Sequence, residues 1–172
     1  NNFGTVENCI FFNNTALTSS GGAIYVNSPG ETIINCNFTN NNAYINGGSI
    51  YSRSGTIEYC NFINSSVGSS EAAGGAIYSD SSTIGYCNFT NNTVKNTRYG
   101  GGAVFLKSGE IAYCDFTKNT ADIGNGGAIL MSSVTVMYCN FTDNVATNGN
   151  GGAISSSTGN ILYCNFLNNT AL

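Results

Sequence analysis

Histidine and tryptophan are absent from this 172-residue chain, and proline occurs once, at Pro29. With no histidine and no Cys-x-x-Cys pair, the sequence lacks the usual ligand sets for a bound transition metal, and it implies no cofactor. Charge is scarce as well. Five Lys or Arg stand against nine Asp or Glu, only 8% of residues are charged, and the net charge is −4. Nothing in that balance neutralises phosphates, which argues against a nucleic-acid partner. No run of 18 apolar residues is present, so no helical segment is long and apolar enough to span a membrane. No signal-peptide pattern opens the chain. Polarity is carried by Asn, Ser, Thr and Gly instead, and 41% apolar residues argue against disorder. The length suffices for one domain with a substantial interior.

What the sequence does have is repetition. Gly-Gly-Ala-Ile begins at Gly21, Gly74, Gly126 and Gly151, Gly-Gly-Ser-Ile at Gly47 and Gly-Gly-Ala-Val at Gly101. Cysteines fall at Cys9, Cys36, Cys60, Cys87, Cys114, Cys139 and Cys164, at spacings of 27, 24, 27, 27, 25 and 25. A period near 25 residues marks a solenoid or an array. No leucine ladder is present, no segment has helical periodicity, and short β-type runs alternate with Gly, Asn and Ser.

Aligned on the cysteine, the repeats form columns. Three residues before it stand Val6, Ile33, Ile57, Ile84, Ile111, Val136 and Ile161. Two after it stand Phe11, Phe38, Phe62, Phe89, Phe116, Phe141 and Phe166. Five after it stand Asn14, Asn41, Ser65, Asn92, Asn119, Asn144 and Asn169, and seven after it a small apolar residue. Such columns read as inward rows: stacked phenylalanines, layered aliphatics, and asparagines that bond to neighbouring amides at a turn. A step of three from aliphatic to cysteine cannot keep one strand face inward, which places a corner at Tyr59-Cys60 and its copies. The expected coil has three short strands, centred on Ala-Ile-Tyr, on Thr-Ile-x-Tyr and on Cys-x-Phe-x-Asn. Glycines at the tight corner before each Ala-Ile run allow positive φ or close approach. Parallel crossovers are almost always right-handed. The predicted fold is therefore all-β: a right-handed parallel β-helix, a three-sided solenoid of about 25–27 residues per coil and six to seven coils. Residues 1–172 read as one β-helix segment of a longer repeat protein.

The pairing of Gly-Gly-Ala-Ile with Phe-x-x-Asn, as in Phe38-Thr39-Asn40-Asn41, Phe89 to Asn92 and Phe141 to Asn144, resembles the repeat of the chlamydial polymorphic outer membrane proteins. The longer form, Gly-Gly-Ala-Ile-Tyr followed by Tyr-Cys-Asn-Phe-Thr-Asn-Asn, is also similar to the adhesin-like surface proteins of methanogenic archaea. The resemblance covers the whole chain. It implies a secreted or surface-anchored protein that mediates attachment at a host-cell or microbial surface, with no catalytic residues to carry over. The autotransporter barrel of the chlamydial proteins has no counterpart in this sequence.

Several features invite a functional reading. The cysteine column is expected to be an inward row of reduced thiols, with bridging between stacked neighbours as the alternative, since a repeat of about 4.8 Å falls within the Cα range of a disulfide. Glycosylation sequons occur at Asn13, Asn37, Asn64, Asn88, Asn91, Asn140 and Asn168, on columns expected to face outward. Insertions concentrate in two places: at 68–73 and 95–100, and before the aliphatic column at 27–31. The first pair supplies candidate contact residues Glu71, Lys95, Arg98 and Tyr99, against neutral drift in loop length. Asn-x-Thr rows built from Asn37 and Thr39, Asn88 and Thr90, Asp115 and Thr117, and Asn140 and Thr142 form a polar array that could bind glycan or ordered water, or be a plain solvated sheet. Lys118 stacks over Asp143 as an expected surface ion pair. A polysaccharide-cleaving enzyme is the sharp alternative, because pectate lyases and polygalacturonases share the fold. It needs clustered carboxylates, whereas Glu58, Asp80, Asp115, Asp122 and Asp143 are scattered over columns. The preferred reading is a non-catalytic extracellular adhesin-like β-helix. A filament formed by copies of the chain stacking end to end is the structural alternative.

Overall fold

A computed structural model describes residues 4–172. These residues form a parallel β-solenoid with no helix, closed by three seven-stranded sheets in which each strand pairs with its counterparts one coil away. The long face comprises Thr5–Glu7, Ile24–Ile34, Ile50–Glu58, Ile77–Gly85, Val104–Ala112, Ile129–Met137 and Ile154–Leu162. The phenylalanine face comprises Ile10–Phe12, Asn37–Thr39, Asn61–Ile63, Asn88–Thr90, Asp115–Thr117, Asn140–Thr142 and Asn165–Leu167. The narrow face is seven two-residue strands, from Thr15–Ala16 to Thr170–Ala171, built on the small apolar column. Pairing keeps each column in register, as Phe62↔Phe89↔Phe116 and Ile57↔Ile84↔Ile111 illustrate.

Two expectations about strands are corrected. The Ala-Ile-Tyr and Thr-Ile runs are not separate strands but two halves of one bent strand. Pairing skips one residue in the middle: Ser79↔Leu106 is followed by Ser81↔Ser108. The bend turns both Ser79 and Ser82 inward, where their hydroxyls lie 2.7 Å apart. The third strand falls on the narrow face, where only a column had been expected. Residues 27–31 are likewise not a loop. They are absorbed as a bulge within Ile24–Ile34, with register shifts between Val26 and Pro29 and between Pro29 and Glu31. A bulge admits extra residues while the ladder on either side is kept.

The corner at the cysteine is present and has a definite cause. Asn8, Asn35, Tyr59, Tyr86, Tyr113, Tyr138 and Tyr163, each just before a cysteine, adopt left-handed φ of 53–55°. A second left-handed corner falls four residues after it, at Asn13, Asn40, Asn64, Asn91, Lys118, Asp143 and Asn168. Asparagine tolerates that region; tyrosine, lysine and aspartate hold it because the ladders on both sides fix the chain. At the third corner the first glycine of each pair has φ of 60–73°. The second has ordinary φ but no room: a Cβ on Gly75 would meet the Gly102 carbonyl oxygen at 2.0 Å.

The interior is built from repeated side chains. Phe38, Phe62, Phe89, Phe116 and Phe141 are fully buried, and the row from Phe11 to Phe166 stacks with centroids 4.7–4.9 Å apart. The isoleucine column and the cysteines pack beside it. Each coil thus covers the apolar face of the next, which no single coil could do for itself.

Candidate recognition surface

The polar ladders inside the solenoid are self-satisfied and therefore structural. Asn119 shows the pattern. Its Oδ1 accepts the Asn92 amide N–H and the Asn92 Nδ2, both at 3.0 Å, and its own Nδ2 donates to the Phe89 carbonyl at 3.0 Å. Asn41, Asn92, Asn119 and Asn144 are wholly buried, with Asn14 and Asn169 half-buried at the ends of the row. Ser65 interrupts the row, and its hydroxyl pairs instead with Ser49 at 2.7 Å. Ser49 is the serine of the single Gly-Gly-Ser-Ile copy, so the two exceptions to the repeat lie in one coil and complete each other.

All seven cysteines are free thiols; Cys36, Cys60, Cys87, Cys114 and Cys139 are buried, while Cys9 and Cys164 are half-buried. Each buried Sγ donates to the carbonyl two residues earlier, for example Cys87 to Gly85 at 3.1 Å, and those of Cys60, Cys87, Cys114 and Cys139 also accept an amide from the coil before, as Cys87 Sγ does from Cys60 N–H at 3.5 Å. The thiols thereby cap polar groups at the tyrosine corner. Burial pushes the Cys36 and Cys87 thiols up from their ordinary value, whereas hydrogen bonds with neighbouring thiols pull Cys60 and Cys114 down.

Outside, the sequons are where the columns placed them. Asn13, Asn64, Asn88, Asn91, Asn140 and Asn168 are exposed; Asn37 is half-buried. Their amides link along the rows, Asn88 to Asn61 at 2.9 Å, Asn91 to Asn64 at 2.8 Å and Asn140 to Asp115 at 2.7 Å. The Asn-x-Thr face is therefore hydrogen-bonded in segments, Asn61 with Asn88 and Asp115 with Asn140 and Asn165, so that part of its amide capacity is spent on itself. The expected Lys118–Asp143 ion pair does not form. Among the described residues the ion pair is Lys107–Asp80 on the long face. Stacking at an exposed corner does not oblige two side chains to meet, because a surface pair gains too little to repay holding both.

The candidate contact loops are ordered by one another. Isolated parallel bridges run Asn46↔Ala73↔Gly100↔Asn125, a fourth, minimal ladder along the rim. Thr97 is buried and its hydroxyl donates to the Ala72 carbonyl at 2.9 Å; the Tyr99 N–H donates to Thr97 Oγ1 at 3.1 Å, and the Asn125 N–H to the Tyr99 carbonyl at 2.6 Å. Glu71, Lys95, Arg98 and Tyr99 are all exposed on this rim. The structure brings three of them together and leaves Lys95 aside. On one flank Ser70, Glu71, Asn96, Arg98 and Ile123 line a shallow groove of about 370 Å³. On the other, Asn46, Glu71, Ala73, Tyr78, Tyr99, Phe105 and Lys107 line a groove of about 290 Å³ against the long face. The Arg98 guanidinium lies 5.7 Å from the Tyr99 ring centre. Sequence reasoning missed Asn46, Tyr78, Phe105 and Lys107. A signal existed for two of them: Tyr25, Tyr51, Tyr78 and Phe105 follow the Ala-Ile column directly and stack 4.8–5.2 Å apart on the outer surface. A second outer stack follows the tyrosine corner from Tyr59 to Tyr163.

The carboxylates expected to be scattered are so. Glu58 and Asp80 lie on the long face, Asp115 on the phenylalanine face, Asp143 at a corner and Asp122 beyond the narrow face. The one buried acid is Glu31, in the bulge, 7% exposed and remote in sequence from the rim loops.

The fold and its ladders define a β-solenoid repeat protein. The Chlamydia polymorphic membrane protein repeat matches three stretches of it, residues 8–27, 113–132 and 138–157. Each match starts at the left-handed residue before a cysteine and runs through Phe and Asn to the Gly-Gly-Ala-Ile of the following coil. These matches show that the repeat unit of this chain is similar to that of the chlamydial polymorphic membrane proteins. Neither the comparison with curated proteins nor that with solved structures gave a match.

Proposed function

We propose that this segment is a non-catalytic adhesin-like scaffold that projects from a cell and presents its rim loops to a host-cell or microbial surface. The observation that carries the reading is the contrast between interior and rim. Inward columns repeat because each residue must match the coil above and below. The rim varies in length and composition, yet is held by the ladder Ala73↔Gly100↔Asn125. Variable residues on a rigid backbone lose little conformational entropy on binding. The distribution of acids supports the non-catalytic part: general acid–base hydrolysis of a polysaccharide calls for two carboxyl groups facing one bond.

The test is adhesion of the purified segment, coupled to beads, to cells bearing candidate receptors. Exchanging 68–73 and 95–100 for the short connection of another coil should reduce bead attachment at least tenfold while the circular dichroism spectrum is kept. Attachment that survives both exchanges would make the loops mere spacers. Release of products from polygalacturonate would overturn the non-catalytic assignment.

A further inference from the structure

The groove against the long face has a composition that the opposite flank of the rim lacks. Tyr99 forms one wall, 41% exposed. Tyr78 and Phe105 form the floor, as neighbours in the outer aromatic stack with centroids 4.8 Å apart. Polar groups close the rest. The Glu71 carboxylate is exposed and forms no ion pair among the described residues, so its oxygens are free to accept. Asn46 is oriented by the Ala73 N–H, which donates to its Oδ1 at 2.9 Å, and this leaves its Nδ2 to donate. Lys107 donates one hydrogen bond to Asp80 and sits 5.6 Å from the Tyr78 ring centre, with two more protons to offer.

An aromatic wall beside a fixed set of donors and acceptors matches a molecule that is apolar on one face and hydroxylated around its rim. The Tyr99 wall is pre-set. Its amide and carbonyl are both bonded, to Thr97 and Asn125, and Thr97 is tied in turn to Ala72. A volume of about 290 Å³ lies at the small end of ligand pockets and has room for roughly one or two sugar rings. The charge pattern narrows the class. Asp80 offsets the ammonium of Lys107, whereas the carboxylate of Glu71 is not offset. Arg98 lines the opposite groove with Glu71 and lies 5.7 Å from the Tyr99 ring centre, so among the residues lining this groove no unpaired cation holds an anionic sugar against Glu71, and an uncharged one is favoured.

Resting on the adhesin reading, the geometry points to a subsite for a neutral saccharide in this groove, its ring stacked on Tyr99 and its hydroxyls shared between Glu71 and Asn46. The subsite is assembled from three successive coils, since Asn46, Glu71 and Tyr99 come from consecutive rim connections.

Isothermal titration of the whole segment with cellobiose, mannobiose and lactose tests this, with 3′-sialyllactose and digalacturonate as anionic probes. At least one neutral disaccharide is expected to bind with a millimolar or lower Kd. Tyr99→Ala and Glu71→Ala should each weaken it at least tenfold, and Lys95→Ala should leave it unchanged. Glu71 is exposed and outside every ladder, so its variant keeps the test sound should Tyr99→Ala perturb the rim. No neutral binding, preference for the anionic probes, or binding indifferent to both variants would overturn the subsite. Bead attachment to cells that persists when no saccharide binds would discard the subsite and leave the adhesin reading standing. Saccharide binding without any cell attachment would do the reverse.

Discussion

Replacing Glu31 by glutamine should stabilise this protein at neutral pH and remove a pH dependence from its unfolding. Glu31 is 7% exposed, and both carboxyl oxygens are buried without a hydrogen-bond partner. The Ser52 hydroxyl, on the adjacent coil, is buried and unpartnered too. The cause lies in the bend of the long strand. Ser79 and Ser82 bridge the inside of that bend in the next coil, and their counterparts by register are Ser52 and Gly55. Gly55 brings no hydroxyl, so Ser52 loses the partner that Ser79 has. Room left over Gly55 is taken by the Glu31 side chain, whose Cγ would lie 3.3 Å from a Cβ at that position. An acid thus fills a space that two serines fill one coil on.

Burial raises the Glu31 pKa above its ordinary value of 4.5; its own backbone amide is near enough to offset part of the rise but does not reach hydrogen-bonding geometry. The sign follows. An acid with a raised folded pKa binds its proton more tightly folded than unfolded. Its contribution is most favourable below 4.5 and is lost as pH rises through the folded value. An unsatisfied buried polar group costs about 1–3 kcal/mol, and more when charged. Glutamine keeps the shape and removes the charge while still needing partners, so a gain of about 1–2 kcal/mol at pH 7 is expected, shrinking towards zero by about pH 4. For a chain of this size that is a rise in Tm of roughly 2–8 °C at neutral pH. Thermal unfolding of both proteins followed by circular dichroism from pH 4 to pH 8 reads it directly. A Glu31→Gln protein less stable than the parent at pH 7, or two parallel pH profiles, would refute the reasoning.

Two further outcomes follow from the ladders. Ser49→Ala alone leaves the Ser65 hydroxyl buried without its partner and should cost about 1–2 kcal/mol, whereas Ser49→Ala with Ser65→Asn rebuilds the consensus row and should recover at least that, measured as a double-mutant cycle in urea. The cysteines should all react with a thiol reagent after denaturation and none should need prior reduction; in the native protein Cys9 and Cys164 should react first, with Cys36, Cys60, Cys87, Cys114 and Cys139 protected until unfolding, as quantified by mass spectrometry of labelled peptides.

The period, the inward columns, the parallel stacking and the corner at the cysteine were legible because they repeat: seven copies of Phe two residues after Cys leave no other phase. The bend in the long strand was not legible. Its inward positions are Val26 and Glu31, Ser52 and Gly55, Ser79 and Ser82, Leu106 and Gly109, Met131 and Val134, and neither column keeps one residue type along the stack. The pairs differ from coil to coil, as Leu106 with Gly109, Ser79 with Ser82 and Met131 with Val134 show. Tyr59 and its copies were recognised as a corner but not as left-handed, since backbone preference alone favours Asn or Gly there; Asn8 and Asn35 in the same column carried the hint. At the rim, loop length exposed Glu71, Arg98 and Tyr99, but whether a loop folds back over Tyr78 and Phe105 depends on one buried threonine, Thr97, that nothing in the repeat predicts.

This division of labour has a consequence for how such a surface changes. An inward substitution must suit two neighbouring coils at once: the Ser49–Ser65 pair is an exception that comes matched, whereas Glu31 and Ser52 are exceptions left unmatched. A rim substitution meets no such condition, but the groove spans three coils, so its chemistry is a property of their order and not of any one repeat. Tyr99 faces Tyr78 and Phe105 only because a coil with the 95–100 insertion follows one with the 68–73 insertion. Moving a coil to another place in the stack would preserve every inward ladder while taking the groove apart. Recognition in this solenoid can therefore be rearranged by shuffling repeats at little cost to the fold, because stability here comes from contacts between neighbouring coils that look alike from inside.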